Sequence, residues 1–144
     1  MVKYICKFWY GKTIPSWRQD CIDRLMYLYP NAETLESDYL DCTLSNVREW
    51  SDKFRMKMVQ NYQYCLWVDN DIWLDEPLDL TDEPAMANEY GTGHGSIMWS
   101  GNNPDYFRAY NSNFDPKLMS TVKRIKITGT HWATDKNGNK CERH

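Results

Sequence analysis

The segment Tyr64-Cys65-Leu66-Trp67-Val68 is apolar at every position, with no alternation of apolar and polar side chains. A strand with one wet face alternates, because successive side chains point to opposite sides of the sheet. An unbroken run fits a strand covered on both faces, as in the parallel sheet of an α/β domain. The flanking sequence agrees. Residues 3–10 read as a strand closed by Gly11. Trp17, Cys21, Leu25 and Leu28 form one apolar stripe on a helix over residues 16–28, with Pro15 at its start and Pro30-Asn31 at its end. A short strand is expected at residues 32–35. Ser45 is placed to cap a second helix with Glu49 in its first turn, and Val47, Trp50, Phe54 and Met58 give that helix its buried face. Strand, helix, strand, helix, strand in this order favours a doubly wound α/β unit: a mostly parallel central sheet flanked by helices, in a single compact domain.

At 144 residues and 17.2 kDa, one domain is the expectation. A net charge of −3 argues against a surface built throughout to hold nucleic acid, although a local basic patch stays compatible with it. No apolar run reaches the ~18 residues of a membrane span, and Met1 to Cys6 does not read as a secretory signal. The five cysteines (Cys6, Cys21, Cys42, Cys65 and Cys141) are odd in number and form no C-x-x-C pair. Reduced, buried thiols in a cytoplasmic protein are expected. Aromatic residues reach 15%, with seven Trp and ten Tyr; such side chains fill cores and also stack on sugars and bases.

Beyond Pro84 the pattern changes. Gly91, Gly93, Gly95 and Gly101 punctuate a stretch in which Ser96-Ile97-Met98-Trp99 reads as a short strand. A short helix is expected at residues 104–110 and a final strand at 122–130. Between Asp69 and Glu89 the acids Asp69, Asp71, Asp75, Glu76, Asp79, Asp82, Glu83 and Glu89 occur without a Lys or Arg. The tail from Lys117 is net basic. The acids could hold a cation and the bases could meet phosphate; both could equally be solvated surface.

The most informative turn is Asp69-Asn70-Asp71, which follows directly on the apolar run. Two carboxylates at the end of an extended strand would project to one side. In an open α/β sheet the carboxyl ends of the strands are where ligands bind. Two carboxylates held there repel each other and are costly to desolvate, and a divalent cation removes that cost. Oxygen ligands suit Mg²⁺ or Mn²⁺. A calcium-hand loop is excluded by Trp73 at the next alternate position and by the missing glycine.

The stretch from Ser51-Asp52-Lys53-Phe54-Arg55 through Asp69-Asn70-Asp71 resembles the core of DXD-containing GT-A glycosyltransferases. The likeness is to the group typified by the yeast initiating mannosyltransferase, capsular-polysaccharide sugar transferases and clostridial toxin catalytic domains. In that group a helix bearing S-D-x-x-R precedes a hydrophobic strand ending in D-x-D. Phe8-Trp9-Tyr10-Gly11, followed by Pro15 and Trp17, looks like the group's aromatic-glycine first strand. The resemblance implies a GT-A-like fold. Residues 1–80 would be the half that binds nucleotide sugar and metal, and residues 81–144 a short acceptor half. It implies transfer of a sugar from a nucleotide-diphosphate donor, UDP- or GDP-linked, to a hydroxyl, with retention of configuration. Asp71 would ligate Mn²⁺ or Mg²⁺ directly, Asp69 would lie near the donor's ribose and sugar, and His131 would be a further metal ligand, with His94 second. Asp52 and Arg55 would touch the donor sugar and its phosphate, and Phe8, Trp9 or Tyr10 would stack on the base.

The acceptor stays open: a glycan, another hydroxyl, or a modified nucleic acid. Glu89, Asp105 and Asp115 are acceptor-side carboxylates, and Asn88, Ser96 and Asn102 are candidates to bond sugar hydroxyls. Where the group has a Gly-Gly turn before its D-x-D strand, this chain has Asn61-Tyr62-Gln63-Tyr64. A non-catalytic nucleotide-sugar or carbohydrate-binding module and a metal-dependent nucleotidyltransferase are the competing readings.

Overall fold

The computed structural model describes residues 1–89, 92–112 and 123–125. The apolar run becomes β3 (Cys65–Val68), buried at all four positions. Its side chains divide between two cores. Leu66 and Val68 pack with Ile5, Leu25, Ile97 and Trp99, whereas Cys65 and Trp67 pack with Cys6, Phe54, Met86, Met98 and Phe107. Burial on both faces is why the run has no polar alternate.

Around β3 lie β1 (Tyr4–Lys7), α1 (Ser16–Leu28), β2 (Glu33–Glu36) and α2 (Val47–Asn61); β4 (Ala85–Glu89), β5 (Thr92–Trp99), α3 (Asp105–Ser112) and β6 (Lys123–Ile125) follow. These strands form one six-stranded sheet in the order β2-β1-β3-β5-β4-β6. Leu25 of α1 belongs to one core, and Phe54 and Val59 of α2 with Phe107 of α3 belong to the other. Helices therefore cover opposite faces of the sheet.

The α/β class is as the sequence implies, but the sheet is mixed. β1 is parallel to β2 and β3, and β4 is parallel to β6, while β5 runs antiparallel to both β3 and β4. The parallel expectation holds for β2-β1-β3. In the second half, β4 ends at Glu89 and β5 begins at Thr92, and so short a separation in sequence gives antiparallel neighbours.

Several boundaries differ from expectation. The first strand stops at Lys7, because beyond it the Phe8 carbonyl accepts from Asn70 Nδ2 at 3.1 Å instead of continuing the ladder. The buried face of α1 is Arg18, Cys21, Ile22 and Leu25. Trp17 is half-buried beneath the Arg18 guanidinium, 4.4 Å from its ring centroid, and so serves a cation instead of the core. Helix α2 starts at Val47, with Asn46 and not Ser45 at the cap position. The Ser45 hydroxyl is held by that of Thr43 at 2.9 Å, and Asn46 Oδ1 accepts from the Thr43 N–H at 2.7 Å, closing the preceding turn. Strand β4 was not foreseen, and β5 extends well before Ser96. Cys6, Cys21, Cys42 and Cys65 are buried and form no disulfide among the described residues; Cys141 lies outside the described residues, as does most of the expected strand at 122–130.

Candidate active site

Strand order reverses direction between β1 and β3: the chain passes from β1 outward to β2, then returns across β1 to add β3. Crevices of open α/β sheets open at the carboxyl ends of the two strands flanking such a switch point. Phe8-Trp9-Tyr10 leaves β1 at that end, and Asp69-Asn70-Asp71 leaves β3 there. Between them lies a cleft of about 320 Å³ whose walls include Phe8, Trp9, Tyr10, Arg18, Arg48, Arg55, Trp67, Asp69 and Asp71. Its volume is within the range of small-molecule sites.

The two carboxylates do not continue the strand. The Ile72 N–H donates to the Asp69 carbonyl at 3.1 Å, so residues 69–72 turn back at once. Asp69 and Asp71 both still line the cleft, brought there by the turn and not by strand alternation. Asn70 is more than a spacer. Its Nδ2 donates to the Phe8 carbonyl at 3.1 Å, and its Oδ1 accepts from Arg18, so it ties together the loops that follow β1 and β3. Arg18 is 8% exposed and lies 5.7 Å from the Trp9 ring centroid as well as over Trp17.

Arg55 organises the α2 wall. Its Nη1 donates to Asp69 Oδ1 at 3.2 Å and to the Gly95 carbonyl at 2.7 Å. Its Nη2 donates to Ser51 Oγ at 3.0 Å and stands 3.4 Å from Asp52 Oδ1. The guanidinium lies 4.2 Å from the Trp67 ring centroid, a distance at which the cation is attracted to the ring face. Trp67 Nε1 in turn donates to Asp69 Oδ1 at 2.7 Å. Asp52 is 66% exposed and meets Arg55 from the solvent side.

A divalent cation fits this donor set. Asp69 and Asp71 offer hard oxygen ligands, and Asp71 makes no hydrogen bond or ion pair to another described residue. Mg²⁺ and Mn²⁺ are commonly held by one or two carboxylates, with substrate phosphates completing the shell. No group of three or more His, Cys, Asp or Glu is assembled for a metal among the described residues. Two further polar groups near the cleft, Trp9 Nε1 and Arg55 Nε, are buried without a hydrogen-bond partner among the described residues.

The expected residues Phe8, Trp9, Tyr10, Arg55, Asp69 and Asp71 are thus brought together, and Asp52 joins them through Arg55. His131 and Asp115 lie outside the described residues, and of His94, Asn88 and Glu89 only the backbone in β5 and β4 is described. Asp105 is spent on a surface pair with Arg108 at 2.8 Å, and Ser96 is 2% exposed. Sequence reasoning missed Trp67, Arg18, Asn70 and Tyr39 as parts of the site. The Tyr39 hydroxyl accepts from the Trp9 N–H at 3.0 Å and its ring lies 5.4 Å from that of Phe8, steadying the aromatic loop. Trp67 was hidden because an indole inside an apolar run reads as core.

No helix among the described residues is long and apolar enough to cross a membrane. Comparison of the chain with protein-family models, curated proteins and solved structures gives no match.

Proposed function

We propose that this chain is a metal-dependent glycosyltransferase that moves a sugar from a UDP- or GDP-linked donor to a hydroxyl. One observation carries the reading: the D-x-D turn, the S-D-x-x-R arginine and the aromatic loop after the first strand meet in one cleft at the switch point of the sheet. Asp71, with Asp69, would hold Mn²⁺ or Mg²⁺. When bound, the cation supplies positive charge against the diphosphate that departs with the nucleoside. The chain's own residues supply orientation. Trp9 and Tyr10 offer rings to the base, and Arg18 and Arg48 add positive charge to the walls around the diphosphate. Arg55, held by Ser51 and Gly95 beside Asp69, faces the donor's sugar–phosphate end. His131 is proposed as a further ligand, and the acceptor as a glycan or other hydroxyl.

Incubating the protein with Mn²⁺ and a panel of nucleotide sugars tests this directly. Slow hydrolysis of one donor, lost in Asp71→Ala, is the expected result. Binding of the donor with no turnover under any acceptor would favour the non-catalytic binding module. Pyrophosphate release from a nucleoside triphosphate would favour nucleotidyl transfer.

A further inference from the structure

Trp67 touches both charged partners at the centre of the cleft. Its indole N–H donates to Asp69 Oδ1 at 2.7 Å, and its ring face carries the Arg55 guanidinium 4.2 Å away. The side chain is 5% exposed and is wedged by Phe54 and Phe8, whose centroids lie 6.2 and 6.5 Å from its own. It stands on a strand buried on both faces, so its rotamer is fixed by packing. Asp69 Oδ1 accepts from the indole and from Arg55 Nη1, whose directions are set by one rigid ring system. An apolar residue of similar size would fill the same volume without engaging the carboxylate.

We infer that Trp67 is a positioning residue of the donor cleft, orienting the Asp69 carboxylate through its N–H and the Arg55 guanidinium through its ring. The inference rests on the function proposed above. Removing a group that hydrogen-bonds a metal-ligating side chain typically costs about 10–100-fold in metal affinity. Trp67→Phe keeps an aromatic ring under Arg55 while removing the N–H together with the volume of the five-membered ring; Trp67→Leu removes the aromatic face as well.

The test measures Mn²⁺ binding by the loss of the free-ion paramagnetic resonance signal, with UDP and then GDP present, for wild type and both variants. Trp67→Phe should weaken binding about tenfold while staying folded with a lowered thermal midpoint, and Trp67→Leu should weaken it further. Wild-type binding matched within twofold by Trp67→Phe would overturn the inference and leave the proposed function standing. Wild type that binds neither Mn²⁺–UDP nor Mn²⁺–GDP would remove the proposed function, and this role with it. Should the Trp67 variants fail to fold, the indole N–H resonance of Trp67 in ¹⁵N-labelled protein provides a second readout. It should move upfield and exchange faster with solvent in Asp69→Ala. An unchanged resonance would overturn the positioning role.

Discussion

At the scale of single residues, the cleft separates charge that is held from charge that is offered. Asp69 is bound by Arg55 and Trp67, whereas Asp71 is presented without such partners among the described residues. Asp69→Asn keeps the shape and an acceptor for the indole but removes the charge. Because the Arg55–Asp69 pair is only partly buried and Arg55 keeps Ser51, Gly95 and Asp52, the loss of stability should be about 1 kcal/mol or less. On the proposed function, donor turnover should fall by about 10²-fold or more, since the missing charge is one that the proposed cation would need. Denaturant melts beside a donor-hydrolysis assay separate the two effects.

A second residue-scale prediction concerns alkaline pH. The Cys6 thiol is pushed well above its ordinary value of 9.0, first by its hydrogen bond to the Cys65 sulfur 3.5 Å away and then by burial. Burial likewise raises the Tyr29 hydroxyl above 10.0, partly offset by the N–H that Leu78 donates to it. In both cases the fold prefers the neutral form. The stability this gives is complete below the ordinary values and is lost as pH rises through the raised ones, because the unfolded chain ionises first. The thermal midpoint should therefore hold up to about pH 9 and fall above it. In Cys6→Ala the alkaline decline should be shallower, even though the variant starts lower. An equal slope in the two proteins would exclude Cys6 as a source.

At the scale of elements, the sequence was most readable where periodicity or continuity had a single physical cause. Helix α1 runs from Ser16 to Leu28, as Pro15 and Pro30 dictate, and β3 ends at Val68, where the Ile72 N–H closes a turn onto the Asp69 carbonyl. Strand β4 was unreadable because Ala85 to Glu89 has neither a long apolar run nor clean alternation; its pairing with β5 makes it a strand. The site was legible as Asp69, Asp71 and Arg55 but not as Trp67 or Asn70, since the bonds that recruit those two form only when β1, α2 and β3 converge.

The turn before β3 is the sharpest departure. Tyr64 takes φ +54°, a conformation that L-residues other than glycine rarely adopt. Tertiary contacts hold it there. Its N–H donates to the Gly101 carbonyl at 2.7 Å, its carbonyl accepts from the N–H groups of Lys3 and Tyr4, and its ring packs on Trp99. Tyr64→Ala loses the ring and keeps the backbone strain, so it should cost about 2 kcal/mol. Tyr64→Gly should be more stable than Tyr64→Ala by about 1 kcal/mol. Urea melts of the pair decide it, and the reverse order would show that the strain is not relieved by glycine.

At the scale of the whole molecule, the sheet brings distant stretches of chain to one end. The loops after β1 and β3 and the first turns of α1 and α2 all contribute to the cleft, with Arg18, Arg48 and Arg55 standing beside Asp69 and Asp71. This mixture of charge predicts how ligands should stabilise the fold. A divalent ion alone meets two carboxylates and three nearby guanidinium groups and should bind weakly. A nucleoside diphosphate alone meets the arginines but also the unscreened carboxylates. Together each neutralises what opposes the other, so their binding should be strongly synergistic. Ligands that bind only the folded state stabilise it by mass action, by about 2.7 kcal/mol at a hundred times the dissociation constant. For a chain of this size that corresponds to a rise in thermal midpoint of roughly 5–10 °C. Mn²⁺ with UDP or GDP should produce a shift of this order, reversed by chelator, with a much smaller one from Mn²⁺ or nucleotide alone. Asp71→Ala should erase the joint shift yet leave the midpoint of the unliganded protein nearly unchanged, because Asp71 has no ion pair to lose among the described residues. Equal shifts from the separate and combined ligands would mean that the carboxylates and arginines of this cleft do not act on one bound complex.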